Sequence, residues 1–125
     1  MKKLRKVVAD TNFIIAVMFK DHEFHERAIK DWEGTERAYL PIIALSELAY
    51  FLVRNKLGTD VIKTVVSDPK IEVVENTLED VLYAVKESPK SYDDFNDYMI
   101  VSTAKRLGLE VLTYDERLRR KLARP

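Results

Sequence analysis

The chain has 125 residues, the size of a single domain spanning 1–125, and its 46% hydrophobic content is enough to build a real core. Its 21 basic and 21 acidic residues cancel, so no global field draws it to nucleic acid and any such binding must use local patches. The absence of cysteine excludes disulfides and cysteine-ligated zinc and suits a reducing cytoplasm, and no apolar stretch is long enough to span a bilayer.

The start, Met-Lys-Lys-Leu-Arg-Lys, is basic, but Asp10 and Asn12 break the apolar segment behind it, which argues against a cleaved signal. Val7 to Ala9 read as a buried strand, β-branched and unbroken. Asn12 to Phe19 read as a short helix, and a second runs from about His22 to Trp32 with Gly34 ending it. Arg37 to Leu40 are a second strand. Pro41 is placed to open a helix running to Asn55, since its missing N–H costs nothing in a first turn. Asp60 to Ser67 form a short helix, Asp68-Pro69 a turn, and Ile71 to Val74 a third strand. Thr77 can cap a helix to Lys86, with Asp80 at the capping-box position. A longer helix spans Asp93 to Leu107 and stops at Gly108. Leu109 to Leu112 form a fourth strand and Glu116 to Leu122 a last helix. Strands separated by helices predict a parallel sheet covered on both faces, with sites beyond the carboxyl ends of the strands.

Four acids stand in apolar surroundings. Asp10 closes the first strand and Asp115 follows the fourth. Glu47 is the only charge between Leu40 and Val53, with Ile43, Ala44, Tyr50 and Phe51 about one turn away. Asp97 shares a helical stripe with Ile100, Val101 and Ala104, and Asp94 lies one turn before it on the same face, with Asp93 turned to solvent. Most have a bland reading: Asp10 and Asp115 as helix caps, Glu47 paired with an arginine such as Arg54, and Asp93 and Asp94 favouring a helix dipole, an account that weakens at Asp97 one turn further in. Together they predict a cation among them, most simply a divalent ion. Hard oxygen ligands suit Mg²⁺ or Mn²⁺, the chemistry of phosphodiester cleavage. Thr11, Asn12, Ser46 and Thr113 sit beside the acids, where short polar groups can orient carboxylates or bound water. His22 and His25 invite a zinc reading, but charged neighbours favour a solvated helix start. Tyr92, Phe95 and Tyr98 can stack bases or pack between helices. The basic run Arg117, Arg119, Arg120, Lys121 and Arg124 is either a solvated face or a phosphate contact. Absent glutamine and 34% charged residues lean towards a thermophilic source.

The ordered set of motifs resembles the PIN-domain family and, within it, the VapC-like toxin ribonucleases. Val7-Val8-Ala9-Asp10-Thr11-Asn12 resembles the family's opening strand and first acid, and Leu45-Ser46-Glu47-Leu48 the helix with the second. Asp97-Tyr98-Met99-Ile100-Val101-Ser102-Thr103-Ala104 resembles the third stretch and Leu112-Thr113-Tyr114-Asp115 the closing strand and last acid. The resemblance spans the whole chain. It implies a three-layer α/β/α sandwich with a central parallel sheet, and a Mg²⁺- or Mn²⁺-dependent endoribonuclease. It carries Asp10, Glu47, Asp97 and Asp115 over as metal-site residues, with Asp94 a possible addition. It further implies a homodimer and, for toxin members, inhibition by a small antitoxin protein. Two rivals stand beside it. An aspartyl-phosphate phosphatase needs a second acid two positions after the first, where this chain has Asn12. A non-catalytic interaction module needs no metal.

Overall fold

The computed structural model describes residues 3–124, so the first two residues of the basic start and Pro125 lie outside it. In chain order the elements are β1 (Arg5–Ala9), α1 (Thr11–Met18), α2 (His25–Glu33), β2 (Thr35–Pro41), α3 (Ile42–Arg54), α4 (Asp60–Ser67), β3 (Ile71–Val74), α5 (Leu78–Lys86), α6 (Tyr92–Leu107), β4 (Val111–Leu112) and α7 (Glu116–Leu122). The strands form one parallel sheet in the order β3-β2-β1-β4, flanked by helices as three layers. No helix among the described residues is long and apolar enough to cross a membrane.

The chain lays down β1, β2 and β3 in one direction, then crosses through α5 and α6 to place β4 on the far side of β1. The order therefore reverses at β1, and the crevice beyond the carboxyl ends of β1 and β4 is the natural site position. Val7, Val8 and Ala9 are completely buried because β1 is paired on both edges and covered on both faces. Phe13, Leu40, Leu48, Leu52, Ile100 and Leu118 complete the core from five further elements.

The elements match the sequence pattern, and their ends were moved by tertiary contacts. Pro41 is the last residue of β2 and the N-cap of α3, with extended backbone, rather than a first-turn residue. Strand β4 has only two residues because it pairs with Val8 and Ala9 alone. Helix α2 begins at His25, since His22 to Phe24 form a turn in which His22 Nδ1 accepts from the Phe24 N–H at 3.0 Å. The capping box at Thr77 and Asp80 is fully formed. Gly108 ends α6 in the left-handed conformation (φ 68°), which a residue with a Cβ adopts only with strain.

Candidate active site

Local bonds carry the acids to one place. The Asp10 N–H donates to the Leu112 carbonyl (3.1 Å), so the first residue after β1 stays in register with β4. The Thr113 hydroxyl donates to Asp10 Oδ2 (2.8 Å) and accepts from the Asp115 N–H (3.1 Å), which ties the two strand-end acids together. Asn12 Oδ1 accepts from the Tyr114 N–H (3.2 Å), spending its acceptor on the backbone that follows β4. The Thr11 hydroxyl donates to the Ala44 carbonyl (2.9 Å), drawing α3 against the start of α1 and bringing Glu47, one turn on, towards Asp10. A cleft of about 220 Å³ results, lined by Asp10, Glu47, Asp97 and Asp115, with Asp93 and Arg117 at its edges.

Asp10 is the N-cap residue of α1 but makes no side-chain capping bond, so its carboxylate is left for the cleft. Asp115 does cap α7, accepting from the Arg117 N–H through Oδ1 (2.9 Å). Glu47 forms no ion pair among the described residues, and Arg54 does not neutralise it.

The electrostatics follow from burial. Asp10 is 8% exposed, and burial pushes its carboxyl up to about 6; the Thr113 hydroxyl offsets part of this, while Asp97 and Asp115 add to it. Glu47 is pushed up to about 7, again by burial first, then by the charges of Asp10, Asp97 and Asp93. Asp97 is raised by burial, and Lys121 opposes the rise. Like charges held this way resist drawing closer without a cation. Among the described residues no three acid or histidine side chains form a ready-made metal cage.

Asp94 is not in this cleft. It is the third residue of α6, and an acid there turns back on the helix start: its Oδ2 accepts from the Lys90 N–H (3.0 Å), while Ser91 caps the Asp94 N–H. Its other oxygen holds Lys121 Nζ at 2.6 Å, and the same ammonium reaches Asp97 Oδ2 at 3.1 Å. The cation expected between Asp94 and Asp97 is thus a lysine from α7. Asp94, expected as a possible metal ligand, is bonded to Lys90 and Lys121 and does not line the acidic cleft, whereas Asp93, expected to face solvent, is exposed and lines it.

Other expectations resolve similarly. Ser46 lines a neighbouring cleft of about 640 Å³ that shares Thr11, Glu47 and Asp93 with the acidic one and adds Tyr50, Arg54 and Tyr92. Tyr98 is buried under Lys121, whose Nζ sits 5.2 Å from the ring centroid, and Phe95 packs beside it, so only Tyr92 of that aromatic group is open to solvent. His25 Nδ1 donates to the Ala16 carbonyl (2.7 Å) and His22 is committed to its turn, so the pair does not converge on zinc.

Asn96 escaped the sequence reading. It is 1% exposed, and neither amide atom is within hydrogen-bonding distance of a partner among the described residues. The amide nevertheless stands near enough to Glu47 to favour its ionised form. A buried amide left unpaired costs about 1–3 kcal/mol, so its place beside Glu47 and Asp97 belongs with the site rather than with the core. The only clue in the sequence was a polar residue on the inward side of α6.

The model of the PIN domain family matches residues 7–122. No curated protein matches the sequence. Among solved structures, the fold is similar to the crystal structure of VapC20 of Mycobacterium tuberculosis, described as a sarcin-ricin loop cleaving toxin. The TM-score is 0.79 and the identity 17%, over 95% of this chain and 99% of that one. It is also similar to a chain in a toxin–antitoxin complex from Klebsiella pneumoniae, with a TM-score of 0.63 and 17% identity over 87% of this chain and 86% of that one. With the acids gathered at the switch point of a β3-β2-β1-β4 sheet and the family match running through nearly every element, the chain belongs to the PIN domain family.

Proposed function

We propose that the protein is a divalent-metal-dependent endoribonuclease, the toxin of a toxin–antitoxin pair. The observation that carries this reading is the convergence of Asp10, Glu47, Asp97 and Asp115, from four separate segments, on one cleft in which burial lifts Asp10 and Glu47 towards neutrality. A fold keeps carboxylates in that condition when an added positive charge completes the site. Their all-oxygen donor set suits Mg²⁺ or Mn²⁺. When bound, such an ion supplies positive charge for the phosphate and a water ready to attack phosphorus.

The chain's own residues have distinct parts in this reading. Asp10 and Asp97 would hold the principal ion, and Glu47 and Asp115 complete the acidic wall. Thr113 fixes Asp10 through its hydroxyl bond, and Asn12 fixes the backbone after β4. Asn12 also stands where an aspartyl-phosphate phosphatase needs its second acid, and its carbonyl oxygen is already committed to Tyr114.

The similarity to one structure described as a toxin and to another from a toxin–antitoxin complex supports an antitoxin partner and an RNA substrate. The test is cleavage of a mixed RNA pool with Mn²⁺, with Mg²⁺ and with chelator. Cleavage in both metals and none in chelator is expected, and metal-independent cleavage would reject the assignment. Calorimetric titration with Mn²⁺ separates the nuclease from a non-catalytic PIN module, which would show no binding.

A homodimer is also part of this reading. Leu78, Leu82 and Val85 recur on one face of α5 and are 73%, 58% and 59% exposed. Such a stripe on a water-facing helix marks an interaction surface. Leu82→Glu should convert a dimer to a monomer in light scattering, with the circular dichroism spectrum unchanged. An unaltered mass would place the interface elsewhere.

A further inference from the structure

We propose that the cleft on the α7 side of the acidic site is a phosphate-binding track for the RNA backbone next to the cleaved bond; this rests on the nuclease reading above. The chain is neutral overall, but its charge is segregated. A cleft of about 590 Å³ is lined by Lys90, Arg117, Arg120, Lys121 and Arg124 against only Glu87 and Asp94. Arg117 also lines the acidic cleft, so the two are neighbours.

The cations are not spent alike. Lys121 is held by Asp94 and Asp97. Arg117 lies 4.0 Å from Asp115, the loosest ion pair of the set. Arg124 donates to the Tyr98 hydroxyl (3.1 Å), a neutral partner, and has no ion pair among the described residues. Lys90 and Arg120 have no ion pair among the described residues. Arg117, Arg120 and Lys121 fall on one face of α7 by helical spacing and Arg124 follows two residues past its end, whereas Arg119 turns away to the Thr113 carbonyl and Glu116. A concave row of cations beside an acidic cleft, of which Lys90, Arg120 and Arg124 have no ion pair among the described residues, fits a strand of phosphodiesters. The strand's reacting phosphate is served by the acids, and its neighbouring phosphates need positive partners.

The test is binding of a fluorescent 12-nucleotide single-stranded RNA in chelator, by anisotropy, from about 50 to 200 mM KCl. Each phosphate contact on a single strand contributes roughly 0.7 to the slope of log K against log salt. Lys90→Gln, Arg120→Gln and Arg124→Gln together should make the slope shallower by about 2 and lower the affinity at 50 mM more than about tenfold. Lys63→Gln, on the exposed side of α4, should change neither. An unchanged slope in the triple variant, with its circular dichroism melt intact, overturns the proposal. So does loss of binding to a glutamate-rich peptide with RNA binding kept, which would make the cleft a dock for an acidic protein segment. Because binding is read without metal, wild-type protein that binds with the expected slope but never cleaves in Mn²⁺ removes the nuclease reading and leaves the track standing.

Discussion

Asp10→Asn should lower RNA cleavage by about 10²–10³-fold, the scale of losing one preorganised electrostatic group at a reacting centre, and should at the same time stabilise the metal-free protein. The two effects have one cause. Asp10 is nearly buried and faces Asp97 and Asp115, so its folded-state carboxyl sits at about 6 instead of 3.8. A carboxyl raised on folding contributes most below its unfolded value, where both states are protonated. That contribution fades as pH climbs through the folded value, because the folded state must then hold a charge the unfolded state holds freely. At about 1.4 kcal/mol per unit, the wild type is weakened above pH 6 by on the order of 2–3 kcal/mol. Asparagine keeps the shape and an acceptor for the Thr113 hydroxyl and removes the charge. In chelator at pH 8, Asp10→Asn should therefore melt several degrees above wild type. The gap should shrink through pH 6 and vanish near pH 4. Saturating Mn²⁺ at pH 8 should raise the wild-type melting temperature and leave the variant little changed. Equal melting at pH 8 in chelator would mean that the carboxylate is solvated and the cleft holds no pooled charge.

Four of the acids that line the cleft were legible in the sequence because each interrupts an apolar pattern whose period was already known. Asp10 and Asp115 fall just past strands, and Glu47 falls inside a helix with apolar neighbours on either turn. The illegible part depends on contacts far along the chain. Asp94 and Asp97 were rightly placed on one face, but the ammonium that serves both comes from Lys121, 24 residues after Asp97, and nothing local announces it. Asp94 also turns back to the helix start because Ser91 caps α6, and that shift in aim is smaller than periodicity can resolve. The two-residue β4 and the late start of α2 are set by pairing and turn bonds rather than by propensity. Lys90 and α7 lie on separate elements, so the cationic cleft they share appears only once the chain has folded.

Asp80 shows the limit of reading burial from an acid's surroundings, and its substitution has the largest expected effect on stability. It was read as the second half of a capping box, and it is one: its Oδ2 accepts from the Thr77 N–H at 3.0 Å. It is also completely buried, while the acids of the cleft keep some contact with water. Ser102 donates to Oδ1 at 2.7 Å, Arg106 to Oδ2 at 3.1 Å and Asn76 to Oδ2 at 3.3 Å. Burial alone would raise this carboxyl, but the bonds from Ser102, Thr77, Arg106 and Asn76 outweigh it and hold it below the ordinary value. Asp80 needs no external cation because α6 and the β3–α5 loop supply every partner. Asp80→Ala strands those donors and should cost about 3–5 kcal/mol, a fall in melting temperature of roughly 10 °C or more. Asp80→Asn keeps the volume but turns an amide N–H towards donors, and should lie between the two. The sign with pH is opposite to that of Asp10: a depressed carboxyl stabilises above its unfolded value and loses that contribution as pH falls through the folded one. The deficit of Asp80→Ala should thus be constant from pH 5 to 8 and narrow only in stronger acid. Cleavage by the variant at low temperature, where it is still folded, should remain near wild type, since Asp80 lies outside the acidic cleft. A variant that melts within about 2 °C of wild type, or one that stays folded yet loses cleavage, would show that the wrong acid has been assigned to the scaffold.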